Sequence, residues 1–449
     1  MTAVDVATGG AGGAAVPDLT APRTASQPVV AERTLPTGLR VLAVQRSSVP
    51  LVELRLRVPF AGSGEELPAA SVLAETLLSG TAEMSNVEIA ATLQEVGGGL
   101  SVSVDPDRLI VGGNSLAAGL PRLLEVLSDV LTGAAYPERE VGTEREHLAD
   151  RIEMAASQPA HAVRKALLRR LYGSHPYAVE TPEPEEVRAI EPEALHALHA
   201  ARVLPAESVL IIVGDVEPER VLDAAAAALS PWSPTGAGLV IPPVPPLRIG
   251  PVVVVDRPGS VQSSLRVGIE AVPRTHPDYA ALQLANLVFG GYFSSRLVEN
   301  IREDKGYTYS PHSAIDHSTA GSMIVISADV ATEVTAPALV EIGYELGRIA
   351  TRAPTAEELD QARQYAIGTL ALSVSSQAGL AGTLASLAGF GLGLEWLAEH
   401  PQRLAKVTVE EVQAAAARYL GPAKAVTVVL GEADAVEGPV SALGQVERG

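Results

Sequence analysis

The stretch GPVVVVDRPGSVQSSLRVGIEAVPR, Gly250–Arg274, decides the fold, because the chain has already run through the same pattern once. Gly38–Gly62 reads GLRVLAVQRSSVPLVELRLRVPFAG. In both, an apolar strand ends in an arginine-containing turn, at Arg46 or Arg257, and a second strand with alternating apolar residues follows. A helix-like run comes next, AASVLAETLL in the first copy and YAALQLANLVFGG in the second. Arg46 and Arg257 are 211 residues apart in a chain of 449.

The echo continues outward. SVSVDPDRLIVGGNSL and GSMIVISADV read as strands, and each leads into a long amphipathic helix, LPRLLEVLSDVL or APALVEIGYEL. Each half closes on a buried-looking strand, SVLIIVGD or AVTVVLGE. A duplicated α+β domain is the economical reading, and the length exceeds what one compact domain usually holds. Residues 1–30, rich in Ala, Gly, Pro and Thr without periodicity, read as a disordered tail. The prolines of Pro231–Leu247 remove backbone donors and favour extended chain, so this break reads as an interdomain linker over 234–247. The expected domains are therefore 31–233 and 248–436, with a second tail over 437–449.

Composition excludes several classes. The formal net charge is −20, which disfavours nucleic acid and anionic lipid as partners. Without cysteine there is no disulfide, thiolate zinc site or cysteine nucleophile. The N-terminal residues lack the basic and apolar regions of a secretory signal, and no apolar run approaches the ~18 residues of a membrane span. The expectation is a soluble cytoplasmic protein. G-x-S-x-G, the phosphate-cradling G-x-x-x-x-G-K-[ST] and a strand-following G-x-G-x-x-G are all missing.

The stretch FGGYFSSRLVENIREDKGYTYS, Phe289–Ser310, resembles the second-domain signature of the insulinase/pitrilysin peptidases, above all their bacterial members similar to mitochondrial processing peptidase. LPTGLRVLAV, YPEREVGTERE, the GSHPY of residues 173–177 and LPAESVLIIVGDV extend the resemblance in collinear order over roughly residues 31–435. It implies two homologous α+β domains, each an antiparallel sheet with helices packed on one face, together forming half of a peptidase clamshell. A chain of this length would pair with a second chain to close the chamber.

The resemblance also implies a zinc site that this sequence does not keep. In active members H-x-x-E-H lies on a helix, where histidines at i and i+4 share a face, reach the metal together, and the glutamate polarises its water. Aligning AETLLSGT with the family pattern places Ser71 and Glu75 at the histidine positions, Ala74 at the base and Arg151 at the distal ligand, with Glu144 as a surviving helper acid. No slip of register recovers the motif, because residues 48–146 contain no histidine. No metal is expected in this chain, and zinc is expected in the partner. His196 and His199 form H-x-x-H, but no third histidine or cysteine supports them; His312, His317, His147 and His161 lack a ligand pattern.

What the resemblance retains is an Arg/Tyr pair, here Arg302 and Tyr309, with Tyr307 the rival aromatic. Arginine offers a fork of donors to a peptide carbonyl or carboxylate, and a tyrosine hydroxyl can donate to a developing oxyanion. The bland alternative is a surface ion pair from Arg302 to Glu299 or Glu303 with Tyr309 packed at a sheet edge. Gly290 and Gly291, in the expected substrate-binding loop, require either close backbone approach or positive φ. The long glycine-rich insertion of the mitochondrial non-catalytic subunit is absent. The reading is a non-catalytic subunit of a heterodimeric zinc metallopeptidase, inactive alone, that grips a small or unfolded peptide. A catalytically inert peptide-binding or scaffold homologue is the alternative, and a homodimer is possible when the chain is alone.

Overall fold

Twelve strands form two sheets with one strand order in a computed structural model that describes residues 29–60, 64–233, 236 and 241–449. The first sheet comprises Val30–Thr34 (β1), Arg40–Gln45 (β2), Leu51–Pro59 (β3), Gly99–Asp105 (β4), Arg108–Leu116 (β5) and Val209–Gly214 (β6). The second comprises Val252–Asp256 (β7), Gln262–Ala271 (β8), His312–Ser318 (β9), Gly321–Ala331 (β10), Ala425–Gly431 (β11) and Val446–Arg448 (β12). Their orders are β1-β2-β6-β3-β5-β4 and β12-β7-β11-β8-β10-β9. Every position of one sheet has its counterpart in the other, so the duplication read from Arg46 and Arg257 is a duplication of topology.

The antiparallel character holds through the centre of each sheet, while β2–β6, β7–β11 and β7–β12 pair in parallel. The outer strand comes from opposite ends of the chain: β1 precedes its sheet, and β12 follows it. Residues 437–449, expected to be a tail, therefore include the end of a helix and an edge strand. Of the expected N-terminal tail only Val29 and Val30 lie within the described residues, and β1 begins at Val30. The linker is described over 241–247, where it forms no regular element but rests Ile241, Val244 and Leu247 against apolar side chains of both halves.

Helices of the first half are Leu67–Thr76 (α1), Asn86–Glu95 (α2), Leu120–Gly133 (α3), Glu138–Ala156 (α4), Pro159–Tyr172 (α5), Pro184–Arg188 (α6), Pro192–Arg202 (α7) and Pro218–Ala228 (α8). Those of the second are Tyr279–Asn286 (α9), Arg296–Val298 (α10), Thr335–Thr351 (α11), Ala356–Ser373 (α12), Gln377–Ala388 (α13), Leu394–Lys406 (α14), Val409–Tyr419 (α15) and Ala433–Ser441 (α16). Local chemistry starts several of them. Ser85 with Glu88, Thr355 with Glu358 and Thr408 with Glu411 are reciprocal capping boxes that satisfy first-turn N–H groups.

Each sheet buries one face under helices of its own half. Val41, Ala43, Leu210 and Ile212 face that core in the first sheet, while Leu42, Val44, Val209, Ile211 and Val213 face the other way, as the two-residue period of a strand requires. The other face is covered by a single helix from the opposite half. Leu380, Ala381, Leu384 and Ala385 of α13 lie on the first sheet. In return Val163, Leu167, Leu168 and Leu171 of α5 lie on Val253, Val426, Val428 and Leu430 of the second. Gly268 in β8 makes room for α5, since a Cβ there would sit 2.9 Å from a Leu171 methyl.

The two repeated arginines clasp this exchange. Arg46, at the end of β2, donates to the carbonyls of Val374 at 2.7 Å and of Ser375, in the turn between α12 and α13. Arg257, at the end of β7, donates to the carbonyl of Ser157 at 2.8 Å, in the turn between α4 and α5. Truncating Leu384 to alanine removes buried apolar contact from the seam and should cost about 2–5 kcal/mol. A urea midpoint unchanged from wild type would show that α13 does not hold the halves together.

Candidate functional site

The positions where a zinc site is implied converge, with other chemistry in them. Ser71 and Glu75 are one helical turn apart on α1, and Arg151 reaches them from α4. The Arg151 guanidinium lies 2.6 Å from the Glu75 carboxylate. The Ser71 hydroxyl turns back on its own helix and donates to the Leu67 carbonyl at 2.8 Å. Ala74 is a buried methyl in the first core. The positions aligned with the second histidine and the distal carboxylate thus meet as an ion pair. These groups do not fit zinc. A cation occupies the place of one ligand, the serine oxygen is committed to the backbone, and neither imidazole is present. Glu144 faces His147 at 3.9 Å, and no third ligand-type side chain joins them among the described residues. Among the described residues no three His, Asp or Glu side chains come together as a metal site.

The H-x-x-H pair is structural. His199 accepts from the Tyr136 hydroxyl at Nδ1, 2.6 Å, and donates from Nε2 to the Leu131 carbonyl, 2.9 Å. Both ring nitrogens are used, and burial lowers the pKa of the ring. His196 packs edge-on against the same tyrosine. His317 bonds through Nδ1 to the Ser322 hydroxyl, while His312 is exposed.

Arg302 and Tyr309 do come together. The signature runs through a wide turn at Leu287–Gly291, the short α10, and a second wide turn at Glu299–Asp304 whose closing bond joins Lys305 N–H to the Asn300 carbonyl. Such turns recur at functional sites. Arg302 sits in the second, with its guanidinium carbon 4.9 Å from the Tyr309 ring centre and 4.4 Å from that of Phe293. Tyr309 is 81% exposed and Phe293 65% exposed. A guanidinium held between two aromatic rings on the surface gains only about 0.5–1 kcal/mol per ring. Arg302 also approaches Glu303 at 3.5 Å, but no described carbonyl or carboxylate accepts a hydrogen bond from it. Tyr309 does not pack at a sheet edge. Tyr307 and Tyr309 lie in irregular chain before β9; Tyr307 packs on the second core and Tyr309 does not.

The surrounding residues hold this stretch. Gly290 passes Ser313 of β9 and Leu297 of α10 so closely that a Cβ would lie 3.0 and 3.1 Å from their side chains. At Gly291 a Cβ would lie 2.9 Å from a Leu287 methyl. Close approach, rather than positive φ, is why both are glycine. Arg296, 4% exposed, donates to Glu358 at 2.6 and 2.9 Å and to the carbonyls of Arg352 and Ala353, pinning the signature to α11 and α12. Phe293 was not singled out from sequence. Its signal is an apolar ring between polar neighbours just before a helix start, which the pattern FGGYFSSRL contains.

Burial pushes the Glu358 carboxyl up, but the Arg296 hydrogen bond and charge override it and leave its pKa at about 2. A depressed carboxyl stabilises the fold above its unfolded value of about 4.3 and loses that contribution as pH falls toward 2. Glu358→Gln should therefore flatten the loss of stability between about pH 4.5 and 2, measured by urea unfolding; an unchanged acid slope would discount the pair. A second prediction concerns the degenerate site. Ser71→His, Glu75→His and Arg151→Glu together should create a site that binds about one zinc per chain by elemental analysis. No zinc in the folded triple variant would show that the three positions do not converge as described.

Comparison with known proteins follows the same division. Residues 40–185 match the model of the insulinase family (peptidase family M16), and residues 189–365 match that of the peptidase M16 inactive domain. An uncharacterized zinc protease of Mycobacterium tuberculosis is 26% identical over 397 residues, covering 86% of this chain and 90% of that protein. A probable inactive metalloprotease of Bacillus subtilis is 28% identical over 215 residues, 47% of this chain and 50% of that protein. The crystal structure of a peptidase M16 inactive domain from Pseudomonas fluorescens superposes with a TM-score of 0.82 at 25% identity, covering 90% of this chain and 98% of the other.

Proposed function

We propose that this chain, which belongs to the insulinase (M16) peptidase family and is an inactive-type homologue within it, grips peptide substrate for a partner that carries the zinc. The observation behind this reading is the Arg302–Tyr309 pair. Its guanidinium lies against two exposed rings and donates no hydrogen bond to a described residue, with the Glu303 carboxylate 3.5 Å away, and the tyrosine hydroxyl has no described partner. A stretch that needed this only for stability would bury it. Here the buried interactions belong to Arg296, Asn300 and Leu297, which hold the turn from beneath.

In this proposal the Arg302 fork takes a peptide carbonyl or carboxylate. Tyr309 donates to the oxyanion that forms at the scissile carbonyl, and the exposed Phe293 and Tyr309 rings bind apolar side chains. The turn at Gly290 and Gly291 sets the height of the pair above β9. The partner supplies zinc and the activated water, because Ser71, Ala74, Glu75 and Arg151 cannot. The chain is inactive alone, the substrates are small or unfolded peptides, and the complex is cytoplasmic.

The test is peptide cleavage by this chain, by an H-x-x-E-H family member produced with it, and by the two mixed, with and without a chelator. The mixture should cut fastest, and the chelator should stop it. Tyr309→Phe should lower kcat by about 10²-fold if its hydroxyl serves the oxyanion. Arg302→Ala should lower kcat/KM by at least tenfold while co-purification with the partner persists. A mixture no faster than the partner alone would reduce this chain to a peptide-binding or scaffold homologue.

A further inference from the structure

Between the two halves, where β3, the β4–β5 turn, β9 and the end of α13 meet, there is a cavity of about 460 Å³. None of its residues belongs to the Arg302–Tyr309 site. Most of its charges are matched. Arg108 bonds Asp105 at 2.9 Å. Arg164 bonds Glu180 at 2.5 and 2.6 Å and reaches Asp316 at 3.4 Å. Asp107 accepts from the Tyr177 hydroxyl and from the Thr319 N–H, the latter at 2.8 Å, and so ties the two halves together.

Two arginines on the wall have no carboxylate. Arg274 donates to the Tyr279 hydroxyl at 2.9 Å and lies 5.7 Å from the Tyr279 and Trp396 ring centres, and its Nε is buried without an acceptor. Arg57 is the sharper case. It is only 6% exposed, its Nε is buried without an acceptor, and no described residue accepts a hydrogen bond from any of its nitrogens. Gly389, just past the end of α13, admits the guanidinium: a Cβ there would lie 2.8 Å from Nη2 and 3.0 Å from Nε. The negative end of the α13 dipole offers partial compensation. Burial, then the charge of Arg108, still pull the Arg57 pKa below the usual arginine value against the opposing pull of Asp107 and Asp105. A buried, unpaired guanidinium is among the costliest groups a fold can carry.

A third unpartnered nitrogen faces the same cavity. The Nε2 of His317 is buried without a partner. Burial, then Arg274, hold its ring neutral with a pKa of about 3. With His317 neutral, Arg57, Arg108, Arg164 and Arg274 balance Asp105, Asp107, Glu180 and Asp316. The lining is neutral as a whole, so a single negative charge is favoured only locally, against Arg57 and Arg274, and a polyanion would meet the carboxylates. Leu168, Ile315, Met323 and Phe390 add apolar surface to a wall that otherwise carries hydroxyls, among them Ser318 and Ser386.

We propose that this seam cavity binds a small monoanion, a carboxylate carried on a compact apolar group, gripped by the planar fork of Arg57 with Arg274 beside it. The ligand would supply the counter-charge that the protein withholds from Arg57, and it would bridge the two halves. The test is isothermal titration of the full chain with benzoate, benzamide and inorganic phosphate at constant ionic strength. Benzoate should bind saturably at one site per chain, and benzamide should not. Arg57→Met should weaken benzoate at least tenfold with an unchanged circular dichroism spectrum, and Arg274→Gln should weaken it severalfold. If Arg57→Met does not fold, the variant at the less buried Arg274 decides alone. The proposal is overturned by absent saturation with benzoate, equal binding of benzamide, wild-type affinity in the folded variants, or phosphate binding to the exclusion of benzoate.

Discussion

The reciprocal exchange of one helix between two sheets is the constraint on which the rest of this structure depends. A strand such as β6, with all six residues buried, cannot stop at one packed face. Among the described residues, no helix of the first half covers Leu42, Val44 and Ile211, and none of the second covers Val426 and Val428. Each borrows the other's. Arg46 and Arg257 fasten the turns that precede the borrowed helices, so the halves form one packed body despite the proline-rich connection between them.

That arrangement explains where the polar groups of the seam lie. The open corner beyond the two exchanged helices is where the β4–β5 and β9–β10 turns approach one another. Asp107 crosses from one half to Thr319 in the other. Arg57 points the same way because alternate residues of β3 must: Val52, Leu54, Leu56 and Val58 take the core face and leave Glu53, Arg55 and Arg57 the other. The duplication puts Gly268, which α5 requires, on the same face of β8 in the second sheet.

The two candidate chemistries of the family stand in opposite conditions. At the degenerate zinc positions the replacing residues satisfy each other, as Glu75 with Arg151 and Ser71 with its own helix, so nothing there asks for a ligand. At Arg302 and Tyr309 the opposite holds. The turn beneath is packed and held by Arg296, while Tyr309 and Phe293 stand exposed and Arg302 lies partly buried against their rings. A few residues earlier Arg296 is buried under three acceptors, whereas Arg302 has only the longer contact to the Glu303 carboxylate, at 3.5 Å, among the described residues.

Sequence by itself determined the duplication, the absence of H-x-x-E-H and the seven-residue spacing of Arg302 and Tyr309. All three are read from residue type and spacing along one chain, and periodicity and motif are local properties. Tertiary structure decided the rest. The second ring at Arg302, that of Phe293, and the close packing at Gly290 and Gly291 depend on how the signature folds back on itself, and the meeting of Glu75 with Arg151 depends on elements far apart in sequence. So does the strand at 446–448, too short to carry a pattern, which exists because β7 offers an open edge. The unpaired state of Arg57 is the clearest case. Its neighbours come from Asp107 and Gly389, on either side of the linker, and burial without a partner is a property of the assembled seam that no stretch of chain contains.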